Sequence, residues 1–171
     1  MSLKQPTGLF LVYSSSAGSG KTYTLVKHYL KLTIKNPDNY RNVLAITFTK
    51  KASAEMKERV IKSLYILSKE ETYIFSEKEI SSKRNYQDFL SEETGLTQEQ
   101  IRINADILLK NILHGYGEFS ITTIDSFIHR VIRSFSFDLY LPFNFEIETD
   151  YKAIIQQAVQ LLLNRIGQDR E

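Results

Sequence analysis

The stretch SSAGSGKT, residues 15–22, decides the fold. It matches the phosphate-binding pattern G-x-x-x-x-G-K-[ST] at Gly20, Lys21 and Thr22, with Ser15 in place of the first glycine. In such a loop, small residues let backbone N–H groups surround phosphate oxygens, and the helix that follows adds positive charge from its N-terminus. The stretch therefore predicts a nucleotide-phosphate site.

Two side chains at the end of this loop have different predicted roles. Lys21 is predicted to reach the β- and γ-phosphates of ATP, and the Thr22 hydroxyl is predicted to bind Mg²⁺, so both are candidate catalytic residues and Thr22 is the candidate metal ligand. An ordinary glycine-rich turn is the alternative, but an apolar strand before the loop and a helix after it favour nucleotide binding. The candidate nucleotide-binding residues are Ser16, Ala17, Gly18, Ser19, Gly20, Lys21, Thr22 and Tyr23.

The elements around the loop predict an α/β fold. LFLVY (9–13) and VLAITF (43–48) are short apolar runs typical of buried strands, and a helix is expected between them over residues 21–35. A strand, a helix and a second strand in this order imply parallel strands. A further helix over residues 51–67 has an apolar stripe formed by Ala52, Met56, Val60, Leu64 and Leu67.

The second half of the chain is less regular in its pattern. Residues 68–96 are polar and predict an irregular, partly helical insert, whereas Thr97 and Gln100 form a capping box that starts a helix. FSITTI (119–124) is a candidate third strand, and Ser126 is expected to cap the helix after it. Asp150 is expected to cap a final helix.

Composition and charge describe an ordinary globular chain of 171 residues. It has no cysteine, which excludes disulfides and thiolate metal sites and fits a cytoplasmic location. Its apolar runs are too short to span a bilayer, so we expect no membrane association. The net charge of +2 hides an asymmetry, because residues 1–62 carry 11 Lys and Arg against 3 Asp and Glu. A basic N-terminal block is compatible with a polyanionic partner, although lysine-rich helices also serve solubility alone.

Two further stretches accompany the loop: VLAITFTKKASAEMKERV at 43–60 and FSITTIDSFIHRVIRSF at 119–135. Together with SAGSGKT they resemble the UvrD/Rep-type superfamily 1 DNA helicases, and among these the AddA/RecB-like, or exonuclease V beta subunit-like, branch of helicase–nuclease subunits. Members typically read A-S-A-G-[ST]-G-K-T, then T-F-T-[NK]-K-A-[AS]-x-E-M-[KR]-x-R, then T-[IF]-[HD]-S-F. The resemblance covers roughly residues 9–67 and 115–150.

The resemblance implies where single-stranded DNA would lie. In the family, the second motif grips the DNA backbone and the third motif also runs along the strand. Independently, TFTKK (47–51) stands where a strand meets a helix, and ligands of open α/β sheets bind at such strand ends. The residues implied are Thr47, Phe48, Thr49, Lys50, Thr123, Ser126, Phe127 and Arg130.

Some of these residues have plain alternative roles. Without the resemblance, Lys50 would be a solvated helix start and Phe48 a core residue. Phe127 could stack on a base or pack in the core. Asp125 stands where many relatives have histidine, and a carboxylate near a phosphate backbone is repelled. Asp125 as a Walker B aspartate is disfavoured, because polar residues alternate through FSITTID (119–125) and no second acidic residue follows.

The resemblance also implies a domain organisation and a fragment. We expect a RecA-like P-loop core over residues 1–67, a polar, largely helical insert over 68–114, a return to the core over 115–140 and the start of a helical subdomain over 141–171. The family's Mg²⁺-binding D-E-x-x motif and second motor domain are not found in the sequence. The chain is thus predicted to be the N-terminal, ATP-binding part of an ATP-dependent DNA helicase, inactive as a motor by itself.

The implied partners are single-stranded DNA or DNA ends and a second helicase–nuclease subunit, in repair or recombination. Two other classes remain open. A small P-loop phosphotransferase of the nucleoside or nucleotide kinase type would suit the chain length, with Asp125 as a base, but needs an arginine-rich lid, and residues 68–96 supply only Arg84. A non-enzymatic nucleotide sensor is the other.

Overall fold

The computed structural model describes residues 12, 20–70, 73–142, 144–145 and 151–166, and the chain forms two compact units, Met1–Ile124 and Asp125–Glu171. Residues 15–19 and the predicted cap Asp150 lie outside the described residues, as does the predicted strand 9–13 apart from Val12. Val12 is 72% exposed and belongs to no strand, so at this position the prediction of a buried strand is wrong. The two described strands pair with each other rather than with Val12.

The first unit is α/β and mostly helical. Its elements in chain order are α1 (Lys21–Thr33), a 3-10 turn (Pro37–Asn42), β1 (Ala45–Thr47), α2 (Lys50–Ser68), α3 (Glu77–Thr94), α4 (Gln98–His114), a second 3-10 turn (Tyr116–Glu118) and β2 (Ile121–Thr123).

The two strands are parallel neighbours, as the sequence predicts. Ala45 pairs with Ile121 and Thr47 with Thr123, so the ends of the second and third sequence motifs lie side by side. Each strand is only three residues long, and Ile46 is 45% exposed, so the prediction that the whole run 43–48 is buried is wrong. A parallel strand normally needs cover on both faces, and the described residues of this unit leave the Ile46 side open.

The four long helices of the first unit share one apolar core. The predicted stripe of α2 is confirmed, except that Ala52 is only half-buried, and α4 buries Ile101, Ala105, Leu108 and Ile112. In α1, Val26, Leu30 and Thr33 face inward, whereas Leu25 is 50% exposed. The fully buried core side chains include Val26, Leu30, Ile34, Tyr40, Val60, Leu64, Leu67, Leu90, Ile101, Ala105, Leu108 and Ile112.

Helix α3 is regular where the sequence predicts an irregular segment. Its start is fixed by a capping box, in which the Glu79 carboxylate accepts from the Ser76 N–H at 3.0 Å. The side chains of Tyr86 and Leu90 are buried against α1 and α2, and Gly95 ends the helix in the left-handed conformation, φ 73°. Three buried positions in eighteen give too weak a period to recognise in the sequence.

The second unit contains α5 (Ile124–Ser134), whose first residue belongs to the first unit, and α6 (Tyr151–Ile166). The prediction that Ser126 caps α5 is wrong, because the helix begins directly after β2 and Ser126 lies in its first turn. After α5, the Leu141 N–H donates to the Ser136 carbonyl oxygen and the Tyr140 N–H to that of Phe137. This bond pair is a Schellman motif with Tyr140, φ 54°, at the position that glycine usually takes.

Candidate nucleotide and nucleic-acid site

The end of the phosphate loop is built as its sequence requires. Gly20 has φ 82°, which a residue with a side chain adopts only with strain, and α1 begins at the next residue. Lys21 and Thr22 therefore stand on the first turn of α1, Lys21 exposed and Thr22 half-buried. Backbone N–H groups and a lysine at a helix N-terminus are chemically suited to bind a phosphate group. The Thr22 hydroxyl is chemically suited to bind Mg²⁺. The other loop residues proposed for the nucleotide, Ser16–Ser19, lie outside the described part of the chain.

Tyr23 differs from the other candidate nucleotide-binding residues because its ring packs against other side chains of the protein. The ring centroid lies 5.1 Å from that of Tyr86 on α3, and the Lys27 Nζ is also 5.1 Å from it. The Lys27 Nζ lies 4.7 Å from the centroid of Phe89 as well. Burial raises the pKa of the Tyr23 hydroxyl and lowers the pKa of Lys27, with Asp88 opposing the second shift. This cluster ties the first turn of α1 to α3, and only the i,i+4 spacing of Tyr23 and Lys27 signals it in the sequence.

Hydrogen bonds of threonine hydroxyl groups hold the turn between the end of β1 and the start of α2. Thr49 is the N-cap of α2, and its Oγ1 accepts from the Ala52 N–H at 3.1 Å. The Thr47 hydroxyl donates to the Thr49 carbonyl oxygen at 3.1 Å and lies 3.5 Å from the carbonyl oxygen of Thr122 in β2. The two threonines therefore shape the turn that presents Phe48 and Lys50.

The Phe48 side chain is 86% exposed in this turn. The alternative that Phe48 is a core residue is therefore wrong for the described residues. Lys50 is exposed on the first turn of α2. An exposed ring beside an exposed ammonium group at a helix N-terminus is chemically suited to a base and a phosphate of single-stranded nucleic acid.

The third motif is divided between the two units. Thr123 is buried in β2 and faces Thr47 across the strand pair, so the first unit brings these two candidates together. Ser126, Phe127 and Arg130 belong to α5 of the second unit, where Phe127 is half-buried and the other two are exposed.

The described residues hold no cluster of three His, Cys, Asp or Glu side chains suited to a metal ion. Asp125 is exposed in the first turn of α5. None of the helices described is long and apolar enough to cross a membrane.

Comparisons with known proteins agree with the motifs. The family model of the UvrD/REP helicase N-terminal domain matches residues 2–170. An ATP-dependent helicase/nuclease subunit of Lactobacillus delbrueckii is 33% identical over 164 residues, which is 96% of this chain and 11% of that protein. The RecBCD enzyme subunit RecB of Haemophilus influenzae is 27% identical over 157 residues, 88% of this chain and 13% of that protein.

A shorter match has higher identity. The corresponding ATP-dependent helicase/nuclease subunit of Clostridium novyi is 46% identical over 59 residues, 33% of this chain and 5% of that protein. The chain thus spans no more than about an eighth of the length of these relatives. No solved structure matches.

Proposed function

The chain belongs to the UvrD/Rep helicase N-terminal domain family, and from that membership we propose that it is the ATP-binding N-terminal part of an ATP-dependent DNA helicase of the helicase–nuclease type. The observation that supports the proposal is the parallel pair of β1 and β2, which aligns Thr47 with Thr123, so the ends of the second and third sequence motifs lie side by side.

The nucleotide part of the proposal rests on the loop and the first turn of α1. Backbone groups of residues 16–20 would surround the phosphates of ATP, Lys21 would pair with the terminal phosphates and Thr22 would hold Mg²⁺. ATP with Mg²⁺ supplies the free energy of the motor. The left-handed Gly20 and the half-buried Thr22 support this assignment, and Tyr23 would border the nucleotide with a ring held against Tyr86.

The nucleic-acid part rests on the turn between β1 and α2. Phe48 would stack on a base and Lys50 would contact a phosphate, while Thr47 and Thr49 hold the turn. On α5, Ser126, Phe127 and Arg130 are proposed as DNA-binding residues of the second unit, taken by itself. DNA repair or recombination, a partner helicase–nuclease chain, a cytoplasmic location and the RecA-like domain boundaries complete the proposal.

Binding of a fluorescent single-stranded oligonucleotide tests the nucleic-acid part. Phe48→Leu keeps apolar bulk and removes the stacking ring, so we expect the dissociation constant to rise about fivefold or more. Tyr73→Leu is the matched control, because Tyr73 is 79% exposed and lies outside the turn. Equal affinity of the two variants and the wild type would contradict the proposed DNA contact.

Nucleotide turnover separates the helicase from the phosphotransferase. We expect the chain to consume little ATP in the presence of a nucleoside, because it is proposed to lack the Walker B motif and the second motor domain. Transfer of phosphate from ATP to a nucleoside, lost in Lys21→Ala, would favour the phosphotransferase instead.

A further inference from the structure

A groove of about 700 Å³ runs between α2 and α4 in the first unit, away from the phosphate loop residues described above. Its floor includes Ile61, Leu109 and Leu113, and two tyrosines border it, Tyr65 on α2 and Tyr116 on the turn after α4. Tyr65 is 43% exposed and Tyr116 47% exposed, so both rings reach solvent. Half-exposed rings on an apolar floor form a surface on which planar groups can stack.

Each tyrosine is paired with a lysine. The Lys57 Nζ lies 4.9 Å from the ring centroid of Tyr116, and the Lys69 Nζ lies 5.2 Å from that of Tyr65. Lys57 lines the groove itself, whereas the third lysine of the region, Lys62, is held by Glu79 at 2.7 Å. The groove therefore offers a cation, Lys57, next to the Tyr116 ring, and Lys69 places a second cation beside the Tyr65 ring from outside the groove lining.

The charge of the supporting helix favours an anion. Helix α2 and its C-cap Lys69 carry six basic side chains against Glu55 and Glu58, of which Glu58 lines the groove. Glu55 is paired with Arg59. The basic side chains are Lys50, Lys51, Lys57, Arg59, Lys62 and Lys69.

The groove also begins where the proposed DNA contact ends. Ser53 and Ala54, one turn after Lys50, line its near end, and Tyr65 lines it further along α2. From Lys50 to Tyr65 the helix rises about 22 Å. A strand that leaves the first turn of α2 can therefore follow the same helix along the groove.

We propose that this groove binds single-stranded nucleic acid, with bases stacked on Tyr116 and Tyr65 and a phosphate on Lys57. The inference rests on the proposed function, because it extends the contact assigned to Phe48 and Lys50. Aromatic rings with interleaved cations bind single strands without reading their sequence. The groove thereby lengthens the site along the strand and adds no base specificity.

The test compares two oligothymidylates, about 6 and about 16 nucleotides long, which span the range of known single-strand sites. In the double variant Tyr65→Leu/Tyr116→Leu, the long oligonucleotide is expected to bind about fivefold or more weakly, while the short one loses less. The double variant Tyr65→Phe/Tyr116→Phe keeps the rings and should bind like the wild type. Tyr73→Leu again serves as the control for loss of an exposed tyrosine.

The salt dependence of binding tests the lysine, as the tyrosine variants test the rings. Lys57→Gln should lower the slope of log affinity against log salt by about 0.7, the value for one phosphate of a single strand. Thermal unfolding of each variant shows whether the fold is kept, and the phenylalanine pair supplies a test that needs no change of apolar packing.

The outcomes separate this inference from the function beneath it. If Phe48→Leu weakens binding but the leucine pair and Lys57→Gln do not, the groove does not bind the strand and the inference is wrong, while the proposed function stands. If the wild type binds neither oligonucleotide, the proposed DNA contact fails and the groove inference fails with it.

Discussion

Gly115 is the position where a single added carbon tests the packing of the first unit most sharply. It follows α4, and a Cβ built there would overlap the hydroxyl oxygen of Tyr40, whose ring is fully buried. That hydroxyl donates to the Asn111 carbonyl oxygen at 3.1 Å. Gly115→Ala must therefore displace either the ring or the end of α4, and such overpacking costs about 1–3 kcal/mol of unfolding free energy.

A double-mutant cycle isolates this contact. In Tyr40→Phe the oxygen is gone, and the nearest atoms to the new Cβ become the Asn111 carbonyl oxygen at 3.3 Å and the ring carbon Cζ at 3.5 Å. Tyr40→Phe alone should cost about 1 kcal/mol, because it removes the bond to the Asn111 carbonyl oxygen and the longer one, 3.4 Å, that the hydroxyl accepts from the Arg41 Nε–H. Gly115→Ala added to the Tyr40→Phe variant should then cost about 0.5 kcal/mol, because one slightly tight contact at 3.3 Å and one ordinary contact at 3.5 Å replace the overlap. The coupling energy is thus expected to be about 1–2 kcal/mol.

Urea unfolding followed by far-UV circular dichroism measures the four stabilities. Gly117→Ala is the matched control, because no atom lies within 4 Å of a Cβ at that glycine, and it should change stability by no more than about 0.5 kcal/mol. An equal cost of Gly115→Ala with and without the Tyr40 hydroxyl would refute the packing described for this corner.

Three further predictions concern single side chains. Tyr140→Gly should be about 1 kcal/mol more stable than Tyr140→Ala, because only glycine relieves the left-handed backbone; equal urea midpoints would contradict this. Tyr29→Phe should raise stability by about 1 kcal/mol, since the buried Tyr29 hydroxyl finds no partner in the described chain; a loss would show a missed hydrogen bond. Contacts with Lys62 and Ser76 lower the pKa of Glu79 to about 2, so its stabilisation holds above pH 4.5 and is lost towards pH 2; Glu79→Gln should flatten that acid dependence, and an unchanged urea profile would contradict it.

The sequence predicts a helix best where apolar residues recur at helical spacing or where a capping residue marks the start of the helix. The capping box of Thr97 and Gln100 starts α4 as expected, and its apolar stripe at Ile101, Ala105, Leu108 and Ile112 is fully buried. Thr49, in the second motif, caps α2 through an equally local contact with the Ala52 N–H.

The sequence predicts least where long-range contacts decide. Helix α3 has few apolar positions, and its order depends on Tyr86 and Leu90 meeting α1 and α2, which no local pattern reveals. The Lys57–Tyr116 pair of the groove joins α2 to the turn after α4, some sixty residues further along the chain. The preference of serine for N-caps predicts a cap at Ser126, but the strand passes directly into the helix at Ile124.

The central claim is that the first turn of α1 binds the phosphates of ATP, and nucleotide binding tests it most directly. The measurement is a titration of the 171-residue chain with a fluorescent ATP analogue and Mg²⁺, for the wild type and Lys21→Ala, with Lys35→Ala as the control for loss of a lysine. We expect saturable binding by the wild type and Lys35→Ala, displaced by ATP and weakened tenfold or more in Lys21→Ala, about 1.4 kcal/mol for one charge-assisted contact. Equal binding by Lys21→Ala and the wild type, or no binding by either, would contradict the claim.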